Sequence, residues 1–164
     1  MYFCSVFKTF IIMSNTYTQI HIHAVFTVKN RQSLISTSFQ ERLYDYITAI
    51  VQNRGHKMLA IGGTKDHVHM LFGMRPEDRL SSIMLAVKRD SSKWLNEEGL
   101  ASGKFHWQSG YGAFSCSKSR IPKVIRYIQG QKQHHAKKTF REEYLEMLKR
   151  ADIQYDERYL PDIV

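Results

Sequence analysis

Apolar and polar residues alternate along the chain from residue 18 to residue 28. One side of this alternation is apolar and consists of Ile20, Ile22, Ala24, Phe26 and Val28. The other side is mixed and consists of His21, His23, Val25 and Thr27. A period of two residues predicts a β-strand with one face packed on a core.

Helical spacing follows this strand in two separate segments. Ser38 and Glu41 form a capping-box pattern, apolar residues then repeat at helical spacing, and Gly55 suits the end of this first helix. Residues 76–78, Pro-Glu-Asp, open a second helix with its apolar side in residues 80–94.

Two more helices are predicted near the C-terminus. Pro122 suits the first turn of a third helix, which we expect to run to about Lys138. A last helix begins at Thr139 and is capped by Glu142.

The intervening segments favour strands. Residues 57–61 and 66–72 are predicted to be the second and third strands, with a turn at residues 62–65, and residues 105–117 contain the fourth. The order β-α-β-β-α-β followed by helices indicates an α+β, ferredoxin-like (RRM-like) sandwich with added C-terminal helices. Its first and third strands would lie in the middle of the sheet. The face opposite the helices would be open and would carry His21, His23, His67 and His69.

Composition places the chain among single-domain proteins. No linker-like stretch interrupts residues 14–164, whereas residues 1–13 are apolar and precede the patterned sequence. This extension is too short for a membrane span and is interrupted by Lys8, and we expect Met13 to be the true or an additional start. Cys4 and Cys116 form neither a disulfide framework nor a zinc spacing, so we expect a cytoplasmic protein.

The net charge of +9 indicates which classes of partner are possible. Nucleic acid is the commonest partner of so basic a domain, a membrane surface is the second, and a merely positive surface is the third possibility. Cationic side chains favour the second half of the chain, and we single out Lys88, Arg89, Lys93, Lys123 and Arg126 as DNA-binding candidates. Trp94, Trp107 and Tyr111 could stack on unpaired bases or lie in the core.

Two histidine pairs have the spacing of a metal site. His67 and His69 alternate in a strand, so both imidazoles lie on one face, about 6.5–7 Å apart along the chain. His21 and His23 have the same spacing. The residues alone do not choose between the pairs.

Tyr127 is the candidate nucleophile. Gln131 follows it by one helical turn on the same face, and an amide oxygen is a ligand for hard cations. A tyrosine hydroxyl needs a positioned base or a cation to react. Helical spacing allows Tyr127 to be a core residue instead, and His134 and His135 to be ligands, phosphate contacts or a solvated helix end.

Phosphate-binding glycine loops, a nucleophile elbow and an H-E-x-x-H motif are all absent from the sequence. Residues 66–71, Asp-His-Val-His-Met-Leu, instead resemble the signature of the single-tyrosine HUH transposases of the insertion-sequence 200 type. Residues 127–135 resemble their catalytic helix, residues 21–31 their first strand and residues 107–117 their fourth. The similarity extends from about residue 17 to residue 138.

This resemblance implies a DNA transposase that cuts and rejoins single-stranded DNA. By position, His67, His69 and Gln131 would hold Mg²⁺ or Mn²⁺, in preference to His21 and His23. Tyr127 would form a covalent 5′-phosphotyrosine and release a 3′-OH. Members of the family recognise hairpins at element ends and form dimers in which the tyrosine helix can complete the partner's site.

Three other functions remain open from the sequence. A domesticated descendant would bind DNA hairpins without cutting them. A ferredoxin-like RNA-binding domain would use aromatics on the sheet face, where histidines are predicted here. A hydrolase of small phosphodiesters would keep the metal and use Tyr127 only structurally.

Overall fold

One antiparallel sheet organises the computed structural model, which describes residues 17–29 and 34–161. Its strands are β1 (Ile20–Thr27), β2 (Lys57–Gly63), β3 (His67–Met74) and β4 (Gly112–Ser115). The order β2-β3-β1-β4 confirms that the first and third strands lie in the middle. The extension predicted for residues 1–13, including Cys4, lies outside the described residues.

Five helices of the described residues flank this sheet. They are α1 (Gln40–Asn53), α2 (Leu80–Glu97), α3 (Ile121–Gln129), α4 (Gln131–His134) and α5 (Phe140–Arg150). The α+β ferredoxin-like fold with added C-terminal helices is therefore confirmed. Within the described ranges, no helix combines the length and apolar character that crossing a membrane would require.

The apolar side of the β1 alternation faces α1 and α2. Phe26, Val68 and Phe72 are at most 2% exposed, and they pack with Leu43 of α1 and Ile83 of α2 in one cluster. Burial of these large side chains supplies the hydrophobic part of folding on this side.

The opposite face of the sheet is covered, so the prediction of an open histidine face is wrong. His67 and His69 are fully buried and His23 is only 7% exposed. Helix α3 packs over β2 and β3 through Ile128, and Phe140 of α5 stacks on the His67 ring with 4.2 Å between centroids. His23, His67 and His69 are thus enclosed between the sheet and α3–α5.

Two glycines predicted as turn residues belong to β2 instead. Gly62 pairs with His69 and Gly63 with Val68. A Cβ at Gly62 would lie 2.6 Å from the carbonyl oxygen of Ile128, and one at Gly63 would lie 2.1 Å from the carbonyl oxygen of His67. Glycine is needed here because the backbones approach closely, and the turn prediction missed this reason.

Two predicted helix starts are wrong by a few residues. Ser38 does not cap α1, because its hydroxyl bonds that of Ser36, 2.9 Å away, and the helix begins after Phe39. The second helix begins at Leu80 rather than at residues 76–78, where Asp78 accepts hydrogen bonds from the residues around it. The end of α1 before Gly55, whose φ is 85°, is confirmed.

The predicted third helix is interrupted. Helix α3 ends at Gln129, Gly130 adopts φ −88° and ψ 11°, and Gln131 begins the short helix α4. Because glycine weakens a helix interior, the break falls there rather than at Lys138. The capping box at Thr139 is confirmed, with its hydroxyl accepting from the Glu142 N–H at 3.3 Å and the Glu142 carboxylate accepting from the Thr139 N–H at 2.9 Å.

Candidate active site

The His67 imidazole is held at both nitrogens. Its Nδ1 lies 2.7 Å from Oδ1 of Asp66, which also accepts a hydrogen bond of 2.8 Å from the Thr64 hydroxyl. Its Nε2 lies 3.1 Å from Oε1 of Gln131. A neighbouring carboxylate that accepts from Nδ1 fixes both ring orientation and tautomer.

This arrangement leaves two acceptors facing each other. If Nδ1–H of His67 donates to Asp66, then Nε2 carries a lone pair directed at the amide oxygen of Gln131. The amide orientation is assigned by the hydrogen bond of 3.1 Å that Gln131 Nε2 donates to Glu143 Oε1. Two acceptors 3.1 Å apart are unfavourable unless a cation or a proton lies between them.

His69 lies beside His67 on the same face, as its spacing predicts. Its Nδ1 is 3.0 Å from Nε2 of His23, and its own Nε2 is buried without a hydrogen-bond partner among the described residues. Burial, and then the charges of His67 and other histidines, hold the pKa of His69 well below its ordinary value. Burial also lowers the pKa of His23 to about 4, so both rings are neutral at pH 7 and can offer lone pairs.

The competing pair, His21 and His23, is separated by the structure. His23 lies against the His69 ring, with 5.2 Å between centroids. His21 pairs with Gly73 at the other end of β3 and stands apart from the cluster. His67 therefore lies against Gln131, and His69 lies beside His67, with 5.1 Å between the ring centroids.

Sequence reasoning missed Glu143, which lies at the centre of this cluster and is 3% exposed. Its Oε1 is 3.5 Å from His69 Nε2, and its Oε2 is 2.6 Å from His135 Nε2. Burial, and then the charges of Asp66 and Glu146, raise the pKa of Glu143 to about 8. The available signal was an acidic residue in the apolar stripe of the last helix, between Phe140 and Leu148.

Tyr127 lies on α3 against the histidines of its own chain. Its half-buried ring is 5.6 Å from that of His69, 6.1 Å from that of His23 and 5.3 Å from that of His134, measured between centroids. The tyrosine therefore lies next to the cluster rather than in the apolar core under α1 and α2.

The residue set can be tested for its fit to a divalent cation. The candidate ligand atoms are His67 Nε2, Gln131 Oε1 at 3.1 Å from it, and His69 Nε2, which has no hydrogen-bond partner in the part of the chain that the structure describes. The amide oxygen suits hard cations such as Mg²⁺ or Mn²⁺, whereas imidazole nitrogens suit first-row transition metals, so this mixed set accepts a divalent cation without selecting one. A ligand atom of His67, one of His135 and one of Glu143 also lie within 4.8 Å of one another. The set fits a divalent cation.

The five DNA-binding candidates lie in two different layers. Lys123 and Arg126 are exposed on α3, the helix of Tyr127. Lys88, Arg89 and Lys93 are on α2, which packs on the other face of the sheet. Lys88 donates 2.6 Å hydrogen bonds to the carbonyl oxygens of Gln108 and Gly110. Arg89 pairs with Asp90, and Lys93 pairs with Glu97.

The three aromatic candidates have different environments. Trp107 is 8% exposed and belongs to the core, where it donates a 2.9 Å hydrogen bond to the Ser91 hydroxyl. Trp94 is stacked on Tyr46 with 4.6 Å between centroids. Tyr111 is 37% exposed and remains accessible to a base.

A cationic cleft that sequence reasoning did not single out opens beside His67. Its volume is about 650 Å³, and Thr64, Asp66, His135 and Phe140 form its inner wall. Its cationic lining consists of Lys65, Lys132, Lys137, Lys138 and Arg141. Such a surface attracts a polyanion towards the buried cluster.

Comparisons with known proteins show the family of this chain and agree with its fold. Residues 16–131 match the family model described as "Transposase IS200 like". The ISDra2 transposase TnpA of Deinococcus radiodurans is 23% identical over 119 residues, which are 69% of this chain and 84% of that protein.

Two solved structures share the fold. The first, a crystal structure of a transposase from D. radiodurans R1, superposes with a TM-score of 0.58 at 19% identity and covers 73% of this chain and 95% of its own. The second is a REP-associated tyrosine transposase bound to a REP hairpin, with a TM-score of 0.58, 16% identity, and 93% and 98% coverage.

Proposed function

Since this chain belongs to the family of IS200-like transposases, we propose that it cuts and rejoins single-stranded DNA through a covalent tyrosine intermediate. One observation carries the proposal: Tyr127 of α3 lies against His69, whose buried Nε2 has no partner among the described residues. A nucleophile and an incomplete set of metal ligands are thus adjacent in one chain.

The chemistry assigned to Tyr127 is a displacement at a DNA phosphate. Its hydroxyl oxygen bonds to the phosphorus while the bond to the 3′-oxygen breaks, which leaves a 5′-phosphotyrosine and a free 3′-OH. The phenol proton is transferred to the departing 3′-oxygen, which is how the 3′-OH forms, and the imidazoles of His23 and His69 lie beside the tyrosine ring. A 3′-OH later attacks the same phosphorus and returns the proton to Tyr127, so strands are joined without an external energy source.

His67, His69 and Gln131 would hold the Mg²⁺ or Mn²⁺ of this reaction. When bound, the cation would supply positive charge that polarises the reacting phosphate. The protein side of the site is already oriented, because Asp66 and Thr64 hold the His67 ring and Glu143 holds the Gln131 amide. Enclosure by α3–α5 excludes water from these contacts.

The DNA partner is proposed to carry a hairpin, as it does in the REP-associated relative. The cationic cleft beside His67 would take the strand that enters the site, and Lys123 and Arg126 would contact phosphates next to Tyr127. Lys88, Arg89 and Lys93, on the opposite layer, would contact a different part of the DNA. The reaction would take place in the cytoplasm, on chromosomal DNA.

A homodimer also belongs to the proposal. In this structure Tyr127 contacts the histidines of its own chain. Each active site of a dimer would therefore be assembled from one chain unless the tyrosine helix is exchanged. Mixing Tyr127→Phe protein with His67→Ala protein tests for exchange of the tyrosine helix. Restored adduct formation would show sites assembled in trans, and no restoration would show sites assembled within one chain.

The deciding experiment is a denaturing gel of the protein with Mg²⁺ and labelled single-stranded DNA that contains a hairpin from its genomic flank. We expect a slow protein–DNA band in the wild type and in Tyr111→Phe, which removes an exposed hydroxyl elsewhere, but not in Tyr127→Phe. Cleavage without a covalent band would indicate a hydrolase. Hairpin binding with neither product would favour a domesticated DNA-binding protein and reject the proposal.

A further inference from the structure

Glu143 stands out because it is an acidic residue at the centre of a cluster of acceptors. It lies beyond residue 131, where the family match ends, and helix α5 brings it over the sheet to His67 and His69. A buried carboxylate is costly unless charge or hydrogen bonds compensate for it. The contacts of its two oxygens indicate which groups offset the cost of burying the carboxylate.

The first oxygen, Oε1, accepts a hydrogen bond of 3.1 Å from Nε2 of Gln131. The same oxygen lies 3.5 Å from Nε2 of His69, the atom without a hydrogen-bond partner among the described residues. If His69 Nδ1–H donates to His23, then a carboxylate oxygen and an imidazole lone pair face each other. A shared cation resolves this opposition, as does a proton on the carboxyl group, which a bound cation would displace.

The separations match those of ligands around one ion. An octahedral site with metal–oxygen distances of about 2.1 Å places neighbouring ligand atoms about 3 Å apart and opposite ones about 4.2 Å apart. Glu143 Oε1 is 3.5 Å from His69 Nε2, and Glu143 Oε2 is 4.0 Å from His67 Nε2. Gln131 Oε1 is 3.1 Å from His67 Nε2. The three distances lie between these two values, and Glu143 approaches the two histidines through different carboxylate oxygens, as a carboxylate that bridges or shifts on binding an ion would.

We propose that Glu143 is a fourth protein ligand of the divalent ion, alongside His67, His69 and Gln131, and that His135 positions its carboxylate. His135 Nε2 lies 2.6 Å from Glu143 Oε2. Ligating carboxylates are commonly held by such outer hydrogen bonds. This inference rests on the proposed function for the identity of the metal site, and it adds a negatively charged ligand to a set that is otherwise neutral.

The test is Mn²⁺ binding by the full chain without DNA, followed by electron paramagnetic resonance of the free ion. We expect Glu143→Gln, which keeps the shape of the side chain, to raise the dissociation constant at least tenfold, and His135→Ala to raise it by about tenfold. Glu97→Gln is the control, because Glu97 is an exposed glutamate on α2, on the other side of the sheet. It should bind like the wild type.

Wild-type affinity in Glu143→Gln would overturn the inference, as would a wild type that binds no Mn²⁺. Neither result depends on the covalent band with DNA, so failure of the inference remains distinguishable from failure of the proposed function. Anomalous diffraction from a Mn²⁺-loaded crystal separates a ligand from a positioning residue. A carboxylate oxygen at about 2.1 Å from the ion supports the inference, and an intervening water overturns it.

Discussion

The two faces of the sheet differ in what they bury. Under α1 and α2 the sheet buries large apolar side chains such as Phe26 and Phe72. Under α3–α5 it buries imidazoles, an amide and a carboxylate, with a smaller apolar cluster around Leu71 and Ile128. The first face supplies stability, and that stability allows the second face to hold buried polar groups in an arrangement that suits a bound cation.

The largest expected effect is on the apolar face. Phe72→Ala should lower the free energy of unfolding by about 3–5 kcal/mol, because it leaves a cavity in the main core. Urea denaturation measures the change, and Leu85→Ala, at an exposed position of α2, should stay within about 0.5 kcal/mol of the wild type. Equal losses in the two variants would contradict the assignment of stability to this face.

Removal of a metal ligand should act on the polar face alone. Saturating Mn²⁺, at about 100 times its dissociation constant, should stabilise the wild type by about 2.7 kcal/mol, because it binds only the folded state. His67→Ala should lose this stabilisation together with the covalent DNA adduct, whereas the exposed His106→Ala should keep both. Thermal unfolding with and without Mn²⁺ measures the effect, and an unchanged response in His67→Ala would move the metal site elsewhere.

The attachment of the polar layer to the sheet depends on Gly62. Gly62→Ala should cost about 1–3 kcal/mol and slow adduct formation, because the new Cβ displaces α3 and with it Tyr127. Gly73→Ala is the matched strand control, since its Cβ would meet its nearest neighbours at 3.8 Å. Chemical denaturation measures the loss of stability, and the rate of adduct formation measures the effect on the active site. A fully active Gly62→Ala protein would show that the position of α3 does not matter.

The smallest expected effect concerns a polar network that serves folding rather than chemistry. A hydrogen bond from His56, followed by those of the Arg79 N–H and Arg54, holds the pKa of Asp78 below its ordinary value. A carboxyl with a lowered folded-state pKa contributes stability above its unfolded value of about 3.9, and that contribution is lost as the pH falls through the folded value. Asp78→Asn should therefore be less stable than the wild type at pH 7 and lose less stability on acidification.

Urea midpoints at pH 7 and pH 3 compare the two proteins. Glu77→Gln, which alters the adjacent exposed carboxylate, is the control and should follow the wild type. Parallel acid losses in Asp78→Asn and the wild type would show that Asp78 does not link α1 to the start of α2.

Local pattern was enough to predict the strands, their order and the shared face of His67 and His69. The alternation in β1 and β3 determines which side chains share a face, and that is why His67 and His69 were placed together. The choice between His67/His69 and His21/His23 needs tertiary contacts, because both pairs alternate identically. The orientation of the Gln131 amide also depends on a tertiary contact, because Glu143, twelve positions later, accepts its hydrogen bond.

The errors also have physical causes. Gly62 and Gly63 were assigned to a turn because adjacent glycines usually supply one, whereas here they admit a neighbouring backbone. Glu143 was missed because helical periodicity marks apolar faces and gives no weight to an acidic residue among them. The capping box at Thr139 succeeded where that at Ser38 failed, because a nearby hydroxyl competes for Ser38 alone.

That successful cap has a consequence for how the chain can change. Because Thr139 determines where α5 begins, it also sets the helical register that places the carboxylate of Glu143 one turn later. One residue inserted between them would rotate that carboxylate by about 100° around the helix and away from the histidines. Insertions before Thr139 would leave the spacing from Thr139 to Glu143 unchanged. We therefore expect changes in chain length to be tolerated before this threonine and not between it and Glu143.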